Sequence, residues 1–139
     1  MGRTIVHYQG GMAFRGQGKS GHDVIMDAAR ESGGDDTAAR PVEVLLSSLG
    51  GCTGMDVVSI LRKMKAEPVS FRIEIDDERA PEYPKVITRL HLTYIVEGNI
   101  PEEHLKKAIG LSLTKYCPIA NTLAGVTEIT SSYEIRAVH

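Results

Sequence analysis

The sequence contains no tryptophan, and aromatic residues make up only 5% of its 139 positions. Any core that it forms must therefore be mainly aliphatic. Charge of one sign is not in excess either, since the formal net charge is −2 at neutral pH. No overall basic field exists to hold nucleic acid or an anionic membrane. The hydrophobic share of 42% argues against a disordered or collagen-like chain.

Long apolar runs and an export signal are also missing. No uninterrupted run of about 18 apolar residues occurs, so no membrane-spanning helix is expected. The start of the chain, Met1-Gly2-Arg3-Thr4, lacks the apolar segment of a signal peptide. These features predict a cytoplasmic protein, a setting in which disulfides tend to be transient and catalytic. The length predicts a single domain over residues 1–139.

Hydrophobic alternation and glycine-marked turns predict three short strands at the start of the chain. These strands span Arg3–Tyr8, Met12–Arg15 and His22–Met26. Residues 28–39 have no apolar period and predict a mobile loop. Pro41 suits the first position of a helix. The strongly apolar segment Val42–Met64 then predicts a long helix that is central and buried, with Gly50-Gly51 interrupting it.

The second half of the chain alternates between strands and helices. Strands are predicted at Val69–Asp76, Val86–Val96 and Val126–Val138. One helix is predicted to start at Pro101, and a short one covers Ile119–Leu123. The order of strands, long helix, strands, helices and strand indicates an α+β fold with helices on one face of mainly antiparallel sheets.

Two cysteines, Cys52 and Cys117, are the candidate reactive groups. Their spacing contains no Cys-x-x-Cys and no adjacent His, so neither a metal nor another cofactor is expected. Cysteines often pack as small hydrophobic residues, and this alternative stays open. Against it, Cys52 follows two glycines inside an apolar helix. Cys117 precedes Pro118 at a predicted helix break, where backbone N–H groups can lower a thiol pKa.

A pair of thiols has a defined redox chemistry. A thiolate attacks a peroxide oxygen and becomes a sulfenic acid, a second thiol condenses with it to a disulfide, and an external dithiol restores the pair. A nearby cation would hold the first sulfur as thiolate, and a carboxylate would position that cation. Asp56, one helical turn after Cys52, is expected to be structural or to pair with a basic group such as Arg62.

The segments Pro41–Leu46, Gly50–Thr53 and Lys115–Pro118 share their order and the spacing of their cysteines with a known family. On these segments the chain resembles the OsmC/Ohr group of osmotically inducible and organic hydroperoxide resistance proteins. The resemblance runs from about residue 4 to residue 136. It is strongest to a less characterised OsmC-like branch, through Ser20-Gly21-His22 and the residues around Cys52.

This resemblance implies an OsmC/Ohr-like α+β fold with antiparallel sheets, a long central helix that carries the first cysteine, and an intertwined homodimer. It implies that Cys52 is the peroxidatic thiol, that Cys117 is the resolving thiol, and that Glu43 is the supporting carboxylate. It further implies organic hydroperoxides as substrates. Small dithiols or lipoylated proteins would serve as reductants.

The family also has an arginine in its N-terminal strands that contacts the thiolate and the glutamate. Arg15, Arg30 and Arg40 are the candidates for this position, and the sequence does not choose among them. His22 could polarise a substrate or stabilise the Cys52 thiolate, or it could simply form a structural hydrogen bond.

The first functional hypothesis is therefore a thiol-dependent peroxidase of oxidative stress defence. The alternatives are a non-enzymatic stress protein that binds a small apolar or thiol ligand, and a redox-sensing module.

Overall fold

A computed structural model describes residues 2–138 of the chain. The chain forms two compact units, one up to Ser47 and one from Ser48 onward, and the long helix contributes residues to both. This division does not test whether the chain is a single domain, which therefore stays a prediction. In chain order the elements are β1 (Ile5–Tyr8), β2 (Phe14–Gln17), β3 (Asp23–Met26), a 3-10 helix (Arg30–Ser32), α1 (Pro41–Lys63), β4 (Ser70–Arg79), β5 (Ile87–Glu97), α2 (Glu102–Leu111), a π-helical turn (Ser112–Tyr116), α3 (Pro118–Leu123) and β6 (Glu128–Arg136).

The first unit contains an antiparallel sheet in the order β1-β2-β3. All three predicted strands are confirmed, with ends that differ by no more than two residues. The turns between them use Gly10 and Gly21 at φ values of 93° and 82°. A side chain is strained in that region of backbone space, which explains why glycine marks these corners.

The segment after β3 is not the mobile loop that its composition predicted. The carboxylate of Asp27, which is only 3% exposed, accepts hydrogen bonds from the backbone N–H groups of Ala28, Asp35 and Thr37 and from the Thr37 hydroxyl. These contacts lower the pKa of Asp27 to about 2, the Thr37 hydroxyl being the largest cause. One buried carboxylate therefore organises the loop, a function that residue composition does not reveal.

Helix α1 begins at Pro41, as predicted, and ends at Lys63. The prediction that it is buried on most sides is wrong for the described chain. Its buried residues form a single stripe at four-residue spacing, namely Leu49, Thr53, Val57 and Leu61. Met55, on another side of the helix, is 76% exposed.

The two glycines do not interrupt α1, because the helix is continuous through them. At Gly50, an added Cβ would lie 3.2 Å from the Cδ1 atom of Ile75 on β4, whereas at Gly51 it would meet nothing within 4 Å. Close packing against the sheet thus accounts for Gly50. No close contact of this kind explains the glycine at position 51.

By length and composition, α1 is also the one helix among the described residues that could cross a membrane. Polar residues interrupt its apolar runs, so the sequence alone predicted no such helix. Core helices of water-soluble proteins pass the same test of length and composition, so this property is weak evidence of a membrane location.

The second unit contains a sheet in the order β4-β5-β6. Strands β4 and β5 pair antiparallel, as predicted, while β5 and β6 pair parallel. The parallel pairing was not predicted, and it follows from the crossover through α2 and α3 that separates these two strands. The alternating residues on one face of β5 are all fully buried, namely Leu90, Leu92, Tyr94 and Val96.

Candidate functional site

Cys52 and Cys117 are brought together in the second unit, and both are reduced. Cys52 lies in the middle of α1 and is half-buried, and Cys117 is fully buried. The Cys52 side chain lies near enough to the Cys117 thiol to raise its pKa. The chain therefore places an accessible thiol against an inaccessible one, although 65 positions separate them in the sequence.

Cys117 occupies the junction that its flanking residues predicted. It caps the N-terminus of α3, with Pro118 at the first helical position. Its Sγ atom accepts a hydrogen bond of 3.3 Å from the backbone N–H of Ala120. Proline lacks the N–H group that would otherwise be unpaired there, so the local sequence favours this cap.

The thiol pKa of Cys117 is raised rather than lowered, which corrects the sequence-based expectation. Burial is the largest cause, and the neighbouring Cys52 side chain raises the pKa further. The N–H groups of Ala120 and Ile119 act in the opposite direction without offsetting the burial. Cys117 is consequently a protonated thiol at neutral pH, whereas a peroxide-attacking sulfur has to be a thiolate.

A π-helical turn precedes Cys117 and fixes its backbone. The N–H of Cys117 donates to the carbonyl of Ser112, five residues earlier, at 2.8 Å. The same turn directs the Ser112 hydroxyl into the interior, where this residue is fully buried. Single π-helical turns are rare and occur frequently at functional sites.

A continuous chain of buried hydrogen bonds runs beside the two cysteines. The Thr53 hydroxyl lies 2.8 Å from the Tyr94 hydroxyl and 2.7 Å from the Ser112 hydroxyl. The Ser112 hydroxyl in turn donates to Oδ2 of Asp56 at 2.8 Å. Sequence reasoning missed this chain, because its members come from three separate elements. The one available signal was a polar Thr53 on the apolar stripe of α1.

Tyr94 is affected by the thiol site electrostatically. Its pKa is raised to about 12, chiefly by burial, with negative charge on Cys117 and on Asp56 acting in the same direction and the hydrogen bond to Thr53 acting in the opposite one. The phenol is therefore protonated at neutral pH. Asp56 has a structural role, as predicted, because it accepts the hydrogen bond of the Ser112 hydroxyl. Arg62, the basic partner suggested for it, pairs with Glu67 at 2.8 Å instead.

Glu43 belongs to the first unit, in the first turn of α1. Its Oε2 atom accepts a hydrogen bond of 3.3 Å from the backbone N–H of Arg40, the contact that a capping glutamate makes at a helix start. The structure thus gives Glu43 a local role at the helix terminus. Its predicted support of Cys52 stays a prediction.

The three candidate arginines also lie in the first unit. Arg15 pairs with Asp23 at 3.2 Å, Arg40 pairs with Asp36 at 2.7 Å, and Arg30 belongs to the 3-10 helix. The choice among them for activating Cys52 stays open. His22 is exposed in the turn before β3, where its backbone N–H lies 3.5 Å from the Ser20 hydroxyl.

Within residues 2–138, no group of three or more His, Cys, Asp or Glu side chains could hold a metal ion. Asp56 also lines a surface cavity. This cavity, of about 370 Å³, lies between α1 and the α2 region, and Lys63, Lys107 and Tyr116 are among its other lining residues. The buried chain of hydroxyls therefore ends at a carboxylate that solvent can reach.

A family model described as OsmC-like protein matches residues 33–132, which include both cysteines. The chain belongs to the OsmC-like protein family. Protein YhfA of Escherichia coli K12 is 38% identical over 128 residues, covering 91% of this chain and 92% of YhfA. The family resemblance predicted from the cysteine-containing segments is therefore confirmed.

Solved structures of OsmC-like proteins and their relatives confirm the α+β fold. A hypothetical protein from Aquifex aeolicus VF5 aligns with a TM-score of 0.87 at 24% identity, covering 100% of this chain and 98% of that one. An organic hydroperoxide resistance protein from Elizabethkingia anophelis aligns with a TM-score of 0.72 at 12% identity, covering 98% and 96%. At these identities the similarity shows the fold alone.

Proposed function

We propose that this OsmC-like protein is a thiol-dependent peroxidase that reduces organic hydroperoxides through Cys52 and Cys117. The observation that supports this most directly is the proximity of a half-buried thiol to a fully buried one, whose pKa it raises. A peroxidatic sulfur needs access to substrate, and a resolving sulfur needs only access to its partner. Organic hydroperoxide resistance is also what the name of the Elizabethkingia relative states.

In the proposed cycle, the Cys52 thiolate attacks the terminal oxygen of the hydroperoxide. The O–O bond breaks, the alkoxide takes a proton to leave as an alcohol, and Cys52 becomes a sulfenic acid. Cys117 then forms the S–S bond as the S–O bond of Cys52 breaks, and water is released. An external dithiol, either a small molecule or a lipoyl group on a protein, reduces the disulfide by two exchange steps and becomes oxidised itself.

The cycle assigns a role to the raised pKa of Cys117. A protonated Cys117 does not compete for hydroperoxide, so the first oxidation is directed to Cys52. The cycle also needs a compartment that keeps thiols reduced, which is the condition of the cytoplasm. We retain Glu43 and one of the N-terminal arginines as the proposed groups that hold Cys52 as thiolate.

Consumption of cumene hydroperoxide with a dithiol as reductant tests the proposal. We expect turnover by wild type, none by Cys52→Ser, and accumulation of a sulfenic acid on Cys52 in Cys117→Ser, detected by dimedone trapping and mass spectrometry. Circular dichroism establishes that the variants are folded. A wild type that consumes no hydroperoxide, or a Cys52→Ser variant as active as wild type, would refute the peroxidase.

The proposed active form is a homodimer. Helix α1 buries only one stripe of side chains in the described chain, and it leaves Met55 76% exposed beside an apolar surface that includes Val58 and Phe71. A second copy that covers this surface would remove a contiguous apolar patch from water. We expect sedimentation at micromolar concentration to give the mass of a dimer and Met55→Glu to weaken it. A monomeric wild type contradicts this.

Non-enzymatic binding of a small apolar ligand is the second candidate function. A largely apolar cavity of about 650 Å³ lies between α2, α3 and β6, and Ile109, Ala124 and Ile129 are among its lining residues. This volume is in the range of small-molecule sites. Saturable binding of an apolar fluorescent probe, lost in Ala124→Phe, combined with no hydroperoxide turnover by wild type, would favour this function over the peroxidase.

A further inference from the structure

The backbone N–H, the carbonyl and the sulfur of Cys117 are each held by a hydrogen bond. The N–H donates to the Ser112 carbonyl at 2.8 Å, and the Sγ atom accepts from the N–H of Ala120 at 3.3 Å. The carbonyl accepts from the side-chain amide of Asn121 at 2.8 Å and from the backbone N–H of the same residue at 3.1 Å. Among these contacts, the one from the Asn121 amide is made by a side chain, so a substitution can remove it without changing Cys117.

The Asn121 amide also reaches back to the turn that precedes Cys117. Its Nδ2 atom donates to the Leu113 carbonyl at 3.2 Å, in addition to the Cys117 carbonyl. Both neighbours are carbonyl oxygens, which can only accept, so the NH2 end of the amide must face them. The two protons of this group match the two acceptors. One side chain on α3 therefore ties a residue of the π-helical turn to the residue that carries the buried thiol.

The position of Pro118 explains why the Leu113 carbonyl needs a side-chain donor. In a π-helical turn, a carbonyl accepts from the N–H five residues later, as that of Ser112 does from Cys117. The residue five positions after Leu113 is Pro118, which has no N–H. The proline that favours the cap at Cys117 thus removes the donor that would continue the turn, and the amide of Asn121 takes its place.

We propose that Asn121 is a positioning residue for the thiol pair, and that its amide holds the backbone of residues 113–117 so that the Cys117 sulfur is placed for attack on Cys52. The inference rests on the proposed thiol cycle, in which a disulfide joins these two residues. In that step Cys117 loses its proton to water, and its sulfur forms the S–S bond. The group bound to the sulfur of Cys52 leaves with the electrons of the bond that breaks.

Disulfide formation within one chain depends on how often the second sulfur meets the first. A backbone that is held at both ends of a turn allows a narrow range of sulfur positions, and this raises the effective concentration of the thiol. Without the amide bridge, the Leu113 carbonyl would turn to water and the segment up to Cys117 would gain freedom. The loss should therefore appear in the step that joins the two sulfurs, whereas reactions of Cys52 alone should be unchanged.

Reaction with one equivalent of 5,5′-dithiobis(2-nitrobenzoate) per chain measures this step. The half-buried Cys52 forms a mixed disulfide and releases one thionitrobenzoate, and attack by Cys117 then expels a second, so absorbance reports both rates. We expect Asn121→Ala to leave the first release unchanged and to slow the second by about three- to tenfold, the range that corresponds to one net hydrogen bond. A second release as fast as that of wild type would overturn the positioning role.

The reduction potential of the pair separates positioning from a general loss of stability. Equilibration with glutathione buffers gives the effective concentration of the two thiols, which we expect to fall by a similar factor in Asn121→Ala. Circular dichroism verifies that the variant is folded. An equilibrium identical to that of wild type would contradict the inference, because looser placement of Cys117 has to make the disulfide easier to reduce.

Matched variants on α3 test the bridge itself. The Thr122 hydroxyl donates to the Pro118 carbonyl at 2.7 Å, so Thr122→Ala removes a side-chain hydrogen bond from the same helix while Cys117 stays held. We expect this variant to keep the second release of wild type. An equal slowing in Thr122→Ala and Asn121→Ala would assign the effect to the stability of α3 and would overturn the bridge.

Asn121→Thr separates the two halves of the bridge. A threonine hydroxyl can donate to the carbonyl four residues earlier, which is that of Cys117, but its single proton cannot also serve Leu113. We expect the second release of this variant to be as slow as that of Asn121→Ala. A rate equal to that of wild type would show that the bond to Leu113 is not needed.

Failure of this inference and failure of the peroxidase are separate results. Variants of Asn121 that form the disulfide as fast as wild type would refute the positioning role and leave the peroxidase standing. A wild type that shows both releases but consumes no hydroperoxide would refute the peroxidase and leave the positioning role. A wild type without the second release would refute both.

Discussion

The Sγ atom of Cys117 accepts a hydrogen bond of 3.3 Å from the backbone N–H of Ala120. Such a donor stabilises a thiolate, yet the pKa of Cys117 is raised, because full burial removes the water that would otherwise solvate the charge. The balance between one backbone donor and complete burial therefore sets the protonation of this sulfur. Both the stability and the reactivity of the protein should depend on this balance.

The reduced protein is expected to lose stability as the pH rises above about 8.5, the usual thiol pKa. Cys117 binds its proton more tightly in the folded protein than in the unfolded chain. The protonated thiol therefore adds to the free energy of unfolding below that pH, and this contribution is lost as the pH rises through the folded pKa. Tyr94 adds a second loss at still higher pH, since its pKa is raised to about 12. Urea unfolding under reducing conditions from pH 7 to pH 10 measures the thiol contribution, and its extension to about pH 12 measures that of Tyr94.

Cys117→Ala is the variant that isolates the thiol contribution. It is expected to be less stable than wild type at pH 7, because a buried side chain is truncated, but its free energy of unfolding should fall less between about pH 8 and pH 10. Cys52→Ala serves as the matched control at the half-buried position. Parallel pH profiles for wild type and Cys117→Ala would show that burial of the thiol is not linked to stability.

Alkylation should distinguish the two cysteines by their accessibility. Under native conditions N-ethylmaleimide is expected to modify Cys52 first, because that side chain is half-buried while Cys117 is 0% exposed and protonated. Peptide mass spectrometry at successive times gives the two rates, which should become similar in about 8 M urea, a concentration that unfolds most small domains. Faster native labelling of Cys117 than of Cys52 would contradict the proposed order of roles.

Local sequence patterns were sufficient to predict most secondary structure. The alternation along β5 predicted its buried face, and Pro41 predicted the first residue of α1. The parallel pairing of β5 with β6 was not predicted, since register between distant strands depends on the crossover rather than on either strand. The burial of α1 was overestimated because a count of apolar residues does not reveal which of them the sheet covers.

The candidate site was only partly predictable for a related reason. The pairing of Cys52 with Cys117 was implied by the family resemblance, whereas the break at Pro118 predicted only the local setting of Cys117. The direction of the Cys117 pKa could not be predicted, because it depends on burial that the whole fold creates. The contacts of Tyr94 with Thr53 and of Ser112 with Asp56 join elements far apart in the chain, and no spacing in the sequence encodes them.

Asp27 should make the protein sensitive to acid. Its pKa is lowered to about 2 by the Thr37 hydroxyl and by backbone N–H groups, whereas an unfolded aspartate titrates near pH 3.9. Its contribution to stability is therefore present above about pH 4 and is lost as the pH falls toward 2. Asp27→Asn, which has one accepting oxygen instead of two, is expected to be less stable at pH 6 and to change less between pH 6 and pH 3.

Denaturant unfolding at those two pH values measures the effect, and Asp77→Asn is the exposed control with the same chemical change. If Asp27→Asn and Asp77→Asn lose equal stability at pH 6, the Asp27 carboxylate does not organise the loop after β3.

Gly50 and Gly51 offer a paired test of helix packing, since each can be replaced by alanine in the same turn of α1. Alanine is favoured over glycine inside a helix by about 1 kcal/mol, and at Gly51 an added Cβ meets nothing within 4 Å. Gly51→Ala is therefore expected to raise the free energy of unfolding by about 0.5–1 kcal/mol. At Gly50 the Cβ would lie 3.2 Å from Ile75 Cδ1, and displacing that atom should cancel most or all of the gain.

The double variant Gly50→Ala with Ile75→Val removes the atom in the way, so it separates crowding from helix propensity. We expect Gly50→Ala to stabilise the Ile75→Val protein more than it stabilises wild type, with the difference measured by a double-mutant cycle in urea. Equal effects in the two backgrounds would show that Ile75 does not restrict position 50. A destabilising Gly51→Ala would show that some other contact at this position requires glycine. Since Gly51 directly precedes Cys52, hydroperoxide turnover of that variant then tells whether the contact belongs to the thiol site.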